Sequence, residues 1–363
     1  MTQRSAELEA RAPQSTVMKF GTRPFRRGLA TLSPSTLSLA QGILAQRRDA
    51  LARSITLIES TREDHKEQAG FLLDWLGQHR AAVPSSPPTL RIGVAGPPGA
   101  GKSTFIETLG MRYISKANRV CVIPVDPSSH ISGGSILGDK TRMEQLSRSD
   151  NAYVRASPTR GVLGGIAEHT SEVIYLCESA GFNLVFVESV GLGQSEVDID
   201  IAVDMLLVLV PPGGGDGLQA SKKGIMEAAD LVVINKADGH LLVPAKHTKA
   251  DYSAAMSFIR RKHPSWQPMV VMVSSVSGQG LKDVEAHIEQ FRATMTASGA
   301  LQQKRAHQSI DWMRRQFRRR LVSMVEGREA TRRLYGDLEE ALATGKTTPR
   351  AAASKLLSTL KVH

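Results

Sequence analysis

The residues best suited to chemistry lie in one run, Gly96-Pro97-Pro98-Gly99-Ala100-Gly101-Lys102-Ser103, which follows the apolar stretch LRIGVA and precedes a helix-forming segment. A glycine-rich turn of this spacing lets backbone N–H groups curl around phosphate oxygens. Lys102 then offers a point charge to the β and γ phosphates, and the Ser103 hydroxyl offers a hard ligand for Mg²⁺. The chemistry is nucleoside-triphosphate binding, and a strand before and a helix after are the context that the motif needs. Gly96, Gly99, Ala100, Gly101, Lys102, Ser103 and Thr104 are the expected contacts.

Two apolar runs end in carboxylates. Val120–Asp126 and Leu184–Glu188 both read as buried parallel strands, which would deliver Asp126 and Glu188 to the carboxyl edge of a sheet beside the phosphates. A carboxylate that ends a strand beside a phosphate loop is where such sites organise Mg²⁺ or the attacking water, the role expected of Glu188. Asp139 lies in a polar, glycine-rich stretch, 127–142, with the makeup of a mobile switch loop. It suits the metal shell, directly or through water, with the N-cap of a helix at Lys140 as the alternative. Arg160, ahead of another helix, fits either a phosphate contact or a solvated helix start.

A further strand, Leu231–Ile234, runs into Asn235-Lys236-Ala237-Asp238. Guanine presents N1–H and its 2-amino group as adjacent donors, so one carboxylate accepts from both, whereas adenine offers an acceptor at N1 and no amine. Asp238 thus selects guanine. Lys236 would lie along the base and Asn235 would brace neighbouring loops. The later strand and turn around Ser274, Ser275 and Val276 can present the Ser275 backbone N–H to guanine O6.

Positioning these groups requires a doubly wound sheet, and the chain is long enough for an α/β core with helical additions. The expected fold class is α/β, a P-loop core with a mostly parallel sheet and helical extensions at both ends. The divisions are a basic leader over 1–34, helices and a Pro-rich linker over 35–88, the nucleotide domain over 89–298 and a helical dimerisation arm over 299–363. From Met18 to Arg48 there are six Lys/Arg and no acid, a composition that suits either an organellar transit peptide or a basic tail. A helix with Leu37, Leu44, Leu51, Ile55 and Ile58 on one stripe should follow. Ser60 and Glu63 then form a capping box for a second.

The net charge of +11 invites a nucleic-acid reading, but residues 301–334 hold ten Lys/Arg against three acids with few aromatics interleaved. A solvated or partner-facing basic helix fits that pattern better, so no nucleic acid is expected. No apolar run approaches the length of about 18 residues needed to span a bilayer, so no membrane is expected either. Cys121 and Cys177 sit in apolar segments outside any C-x-x-C, as buried thiols do. A nickel-carrying P-loop GTPase would show a His-rich tract or Cys/His cluster, which is absent. A small-molecule kinase or transport ATPase would need an acceptor site, which is not visible.

The assembled motifs resemble the MeaB/ArgK family, G-protein chaperones of adenosylcobalamin-dependent acyl-CoA mutases that include the mitochondrial methylmalonic aciduria type A protein. The resemblance spans roughly residues 40–360 and rests on ARSITLIES (52–60), GPPGAGKSTFIE (96–107), VDPSS (125–129), SGGSILGDKTRM (132–143), SPTRGVLGG (157–165), ESVGLGQSE (188–196), GGDGLQ (214–219) and NKADG (235–239). It implies a GTPase that binds GTP and GDP with Mg²⁺ and gates cobalamin loading and protection of methylmalonyl-CoA mutase or a relative. It also implies a homodimer, and a location in the mitochondrial matrix or a bacterial cytoplasm. By the same resemblance, Lys102, Glu188 and Asp126 form the catalytic set, Ser103, Asp126, Asp139 and Glu188 the Mg²⁺ shell, and segment 213–223 signals to the mutase through Asp216 and Lys222. Ser189 stands where the family usually has Thr, Ser275 where it has Ala, and Gly217 where it has an acid. The Asp-x-His-x-x-Gly pattern of cobalamin domains is missing; Asp238-Gly239-His240-Leu241-Leu242-Val243 lacks its glycine, so the cofactor is expected on the partner.

Overall fold

The computed structural model describes residues 32–79, 89–126, 143–158, 169–189, 199–213 and 223–358. Its centre is a sheet of β1 (Leu90–Ala95), β2 (Val120–Asp126), β3 (Ala152–Val154), β4 (Ser157–Pro158), β5 (Leu184–Glu188), β6 (Met205–Val210), β7 (Leu231–Ile234) and β8 (Met269–Met272). The strand order is β3-β2-β5-β1-β6-β7-β8, with β4 also paired to β2, and every described pairing is parallel. β5 and β6 are buried at every residue, the pattern of strands covered on both faces. β1, β2, β5, β7 and β8 lie where the sequence analysis places strands; β3 and β4 are too short to carry a periodic signal of their own.

Alternation along the strands splits the core in two. Cys121, Ile123, Val185, Val187, Leu206, Val208, Val232 and Ile234 face one layer, which holds α1 (Pro34–Leu44), α2 (Arg48–Ile58), α3 (Glu63–His79) and, later in the chain, Thr170–Ser179. Ile92, Val94, Val122, Phe186, Leu207 and Val233 face the other, with α4 (Lys102–Ile114), α5 (Glu144–Arg148) and the helix Leu281–Ala297. Numbering on, Thr170–Ser179 is α6, Lys223–Ala228 is α7, Leu242–Phe258 is α8 and Leu281–Ala297 is α9. Cys121 on β2 and Cys177 on α6 are buried free thiols with sulfurs 3.2 Å apart, and burial pushes the Cys121 thiol up.

The N-terminal helices depart from expectation in two ways. The stripe from Leu37 to Ile58 is two helices, not one, because the chain turns at Gln46 with φ 59° and folds α2 back on α1, where Gly42 packs against Ala50. The Ser60 side chain meets His65 Nδ1 at 2.8 Å and accepts weakly from Arg62 N–H at 3.4 Å, so no capping box with Glu63 forms.

At the carboxyl end, α10 (Ala300–Glu326), α11 (Glu329–Ala343) and α12 (Pro349–Ser358) are separated by breaks at Gly327 and Gly345. Only Leu301 of α10 is buried, so apolar packing does not fasten this helix. Polar contacts at its root do. Lys304 Nζ donates to Asp200 Oδ1 and to Asp204 O, both at 2.9 Å, and Arg305 forks onto the Asp204 carboxylate, which is 0% exposed. Gln308 Nε2 donates to Val203 O at 2.7 Å. Burial opposes charge on Asp200, yet the Lys304 and Lys262 ammonium groups hold its carboxyl below the ordinary value. A depressed carboxylate contributes stability above its unfolded pKa and loses that contribution as pH falls through the folded one, so the root of α10 is acid-sensitive. No described helix is long and apolar enough to cross a membrane.

Candidate nucleotide site

The loop between β1 and α4 is shaped by its neighbours as well as by any ligand. Gly96 has φ 145°, and a Cβ there would lie 2.3 Å from Leu209 O; Gly101 has φ 86°, and a Cβ there would lie 2.6 Å from Asn235 Nδ2. Neither position accepts a side chain. Gly101 caps α4 without a side-chain hydrogen bond, and the helix carries no acid of its own in the first turn, so the positive end of its dipole faces the loop. Lys102 is buried, and its Nζ donates to Gly96 O at 2.9 Å and Pro97 O at 3.2 Å, folding the ammonium across the loop.

Register brings the first carboxylate in. Val94 of β1 pairs with Glu188 of β5, and Ser189 N–H donates to Val94 O at 2.9 Å, so Glu188 ends its strand beside the loop. Buried at 7% exposure, it accepts a 2.8 Å hydrogen bond from Ser103 Oγ. A hydroxyl and a carboxylate in contact at a phosphate loop form a hard-oxygen pair, the donor chemistry that Mg²⁺ takes. Asp126 ends β2, the strand beyond β5. Its side chain lies outside the description, as do Asp139, Arg160, Asp216 and Lys222. Among the described residues there is no cluster of three or more His, Cys, Asp or Glu that could hold a metal.

The base-recognition residues converge from the ends of β7 and β8. Asn235 N–H donates to Val210 O and Ala237 N–H to Val273 O, both at 2.9 Å, and between them Lys236 is exposed and held at φ 58°, a left-handed conformation unusual for a side-chain-bearing residue. Asp238 is half-buried and accepts a short hydrogen bond from Ser274 Oγ, which also takes Ser277 N–H at 3.1 Å. Asn235 spans the site: its Nδ2 donates to Ala100 O of the phosphate loop at 2.9 Å, and its Oδ1 accepts from Ser275 on the β8 side. Val276 is 88% exposed at the tip of this turn, leaving only its backbone in position for a polar contact.

Two participants escaped the sequence reading. Thr108, one turn along α4 from Thr104, donates from Oγ1 to Ser275 O at 2.9 Å and ties the phosphate-loop helix to the base turn. Ser277 completes the turn around Ser274. No motif marks either, because both act through a fold-dependent contact with one atom.

A phosphate loop at the carboxyl end of β1, with β5 on one side and β6 on the other, sits at the sheet's topological switch point, where doubly wound folds bind ligands. With the Asn-Lys-x-Asp strand end on the same edge, the class is a P-loop GTPase. A family model described as methylmalonyl Co-A mutase-associated GTPase MeaB matches residues 51–330, and the chain belongs to that family. A putative GTPase of Caulobacter vibrioides is 47% identical over 88% of this chain and 96% of its own length. The methylmalonic aciduria type A homolog, mitochondrial, of Mus musculus is 42% identical over 89% of this chain and 79% of its own. Among solved structures, one titled LAO/AO transport system kinase superposes with a TM-score of 0.68 at 33% identity, covering 92% of this chain and all of that one.

Proposed function

We propose that the protein is a GTP-hydrolysing chaperone that gates adenosylcobalamin loading and protection of an acyl-CoA mutase, methylmalonyl-CoA mutase or a close relative. One observation carries the nucleotide part: the Asn235 side chain joins the phosphate loop at Ala100 to the guanine-reading turn at Ser275, so both halves of a guanine nucleotide would be met by one connected surface. Family membership supports the mutase part. A kinase or transport ATPase reading is disfavoured by Asp238, which stands where adenine would lose its hydrogen bonds.

In this account the phosphates take the place of the Gly96 and Pro97 carbonyls at Lys102 Nζ, and the α4 amides receive the remaining oxygens. Ser103 and Glu188 would hold Mg²⁺, with Asp126 and Asp139 as further carboxylates. Held there, Mg²⁺ would supply neutralisation of the charge that develops on the phosphates. Glu188, fixed at the end of a fully buried strand, orients the attacking water. Glu188→Ala is accordingly expected to lower single-turnover hydrolysis by at least ~100-fold while GTP affinity falls far less. Normal hydrolysis by this variant would remove Glu188 from the mechanism.

Segment 213–223 is the proposed signalling element, with Asp216 and Lys222 as its charged contacts. Its described end, Gly213, donates its N–H to Thr248 Oγ1 of α8 at 3.1 Å. The functional test is GTP turnover with and without the mutase.

The arm supports a homodimer. Ile310, Met313, Phe317, Leu321 and Met324 are all exposed and follow one another at intervals of three and four, which lines them along about 21 Å of one face of α10. That face points away from the Lys304, Arg305 and Gln308 side that grips the body. A second copy of the same stripe would cover it in an isologous contact. Sedimentation should find a dimer, and the double variant Phe317→Glu, Leu321→Glu should be a monomer with unchanged GTP affinity; a dimeric variant would move the interface elsewhere.

A further inference from the structure

Ser275 is engaged through its hydroxyl as well as its backbone. Ser275 is 5% exposed, and two of its donors converge on a single acceptor: Oγ meets Asn235 Oδ1 at 2.7 Å and the backbone N–H meets the same oxygen at 3.2 Å. Both donors also fix the amide orientation, since a flipped Asn235 would set its NH₂ against them and lose the bond from Nδ2 to Ala100 O.

This doubling has a use once a base arrives. The reading of the site above commits the Ser275 N–H to guanine O6, and one N–H cannot serve guanine and Asn235 equally well. We propose that the Ser275 hydroxyl is a positioning group for guanine nucleotides: it keeps Asn235 Oδ1 satisfied while the N–H transfers to O6. The Asn235 strut to the phosphate loop then stays in place in the bound state. Alanine at 275 would force the N–H to choose, leaving a buried amide oxygen short of a donor whenever guanine is bound. When no base is present the N–H alone would hold Asn235, so the hydroxyl matters only with a base in the site. The inference rests on the base placement proposed above.

The test compares wild type with Ser275→Ala using three probes. GDP dissociation, followed with a fluorescent GDP displaced by excess unlabelled GDP, is expected to be about fivefold faster in the variant, the equivalent of one hydrogen bond. Inorganic tripolyphosphate, which has no base, should bind both proteins alike, so general loosening of the phosphate loop would be visible as a loss here. 6-Thioguanosine diphosphate offers a poor acceptor at position 6 and leaves the N–H with Asn235, so the difference between variant and wild type should shrink to less than twofold. GDP release within twofold of wild type would overturn the proposal, as would an equal loss for tripolyphosphate or an undiminished difference with the thio analogue. If wild type itself fails to bind GDP, the base placement falls, an outcome distinct from any of these.

Discussion

ATP is expected to bind at least ~100-fold more weakly than GTP when both are titrated calorimetrically with Mg²⁺ present. The cause is local to Asp238. Its carboxylate, oriented by Ser274 Oγ and half-buried, can accept from N1–H and the 2-amino group of guanine. Adenine brings an acceptor at N1 and no amine, so binding would desolvate the carboxylate without replacing its hydrogen bonds, a loss of several kcal/mol that sites built around polar partners impose on analogues lacking them. The Ser275 N–H adds to the discrimination, since it finds an acceptor in guanine O6 and a donor in the adenine 6-amino group. Comparable affinities would mean that the Asn-Lys-x-Asp strand end does not read the base.

The second large effect is expected at Lys102. Lys102→Ala should weaken GTP binding by roughly 10²- to 10³-fold, the loss expected when one partner of a buried charged contact is truncated. Folding should be little changed, because the loop carbonyls that accept from Nζ, Gly96 O and Pro97 O, can be reached by water once the side chain is gone. Thermal melting and GTP titration of the same preparation separate the two effects. A stable variant with near-normal affinity would take the positive charge out of phosphate binding.

The residues of this site were legible in the sequence to different degrees, for physical reasons. Lys102 and Ser103 could be assigned because a phosphate loop is a local object whose neighbours fix its geometry. Glu188 could be assigned because a carboxylate ending an apolar run lands at a sheet edge wherever the strand sits. That Glu188 touches Ser103 follows from the pairing of β1 with β5, two strands about ninety residues apart in the chain, and a single sequence does not state such pairings. Thr108 was invisible for the same reason, since its partner lies 167 residues away. The N-terminal stripe predicted helix correctly and missed the turn at Gln46, where neither glycine nor proline marks the left-handed residue. Ser275 was read for its backbone alone, and its hydroxyl gained a role only when the Asn235 side chain was found against it.

In the proposed function, hydrolysis of GTP is coupled to an adenosylcobalamin-dependent acyl-CoA mutase. Neither an evident arginine finger nor a glutamine directly after Glu188 is present in the sequence, so the isolated protein should turn over slowly until a partner completes or orders its site. A coupling of this kind needs two arrangements of one element with different affinity for the partner, the role proposed for segment 213–223. Single-turnover GTP hydrolysis, measured with and without saturating methylmalonyl-CoA mutase, is the direct test. The account predicts a rate at least ~10-fold higher with the mutase, and a smaller stimulation in Asp216→Ala or Lys222→Ala. An identical rate with and without the mutase would contradict it.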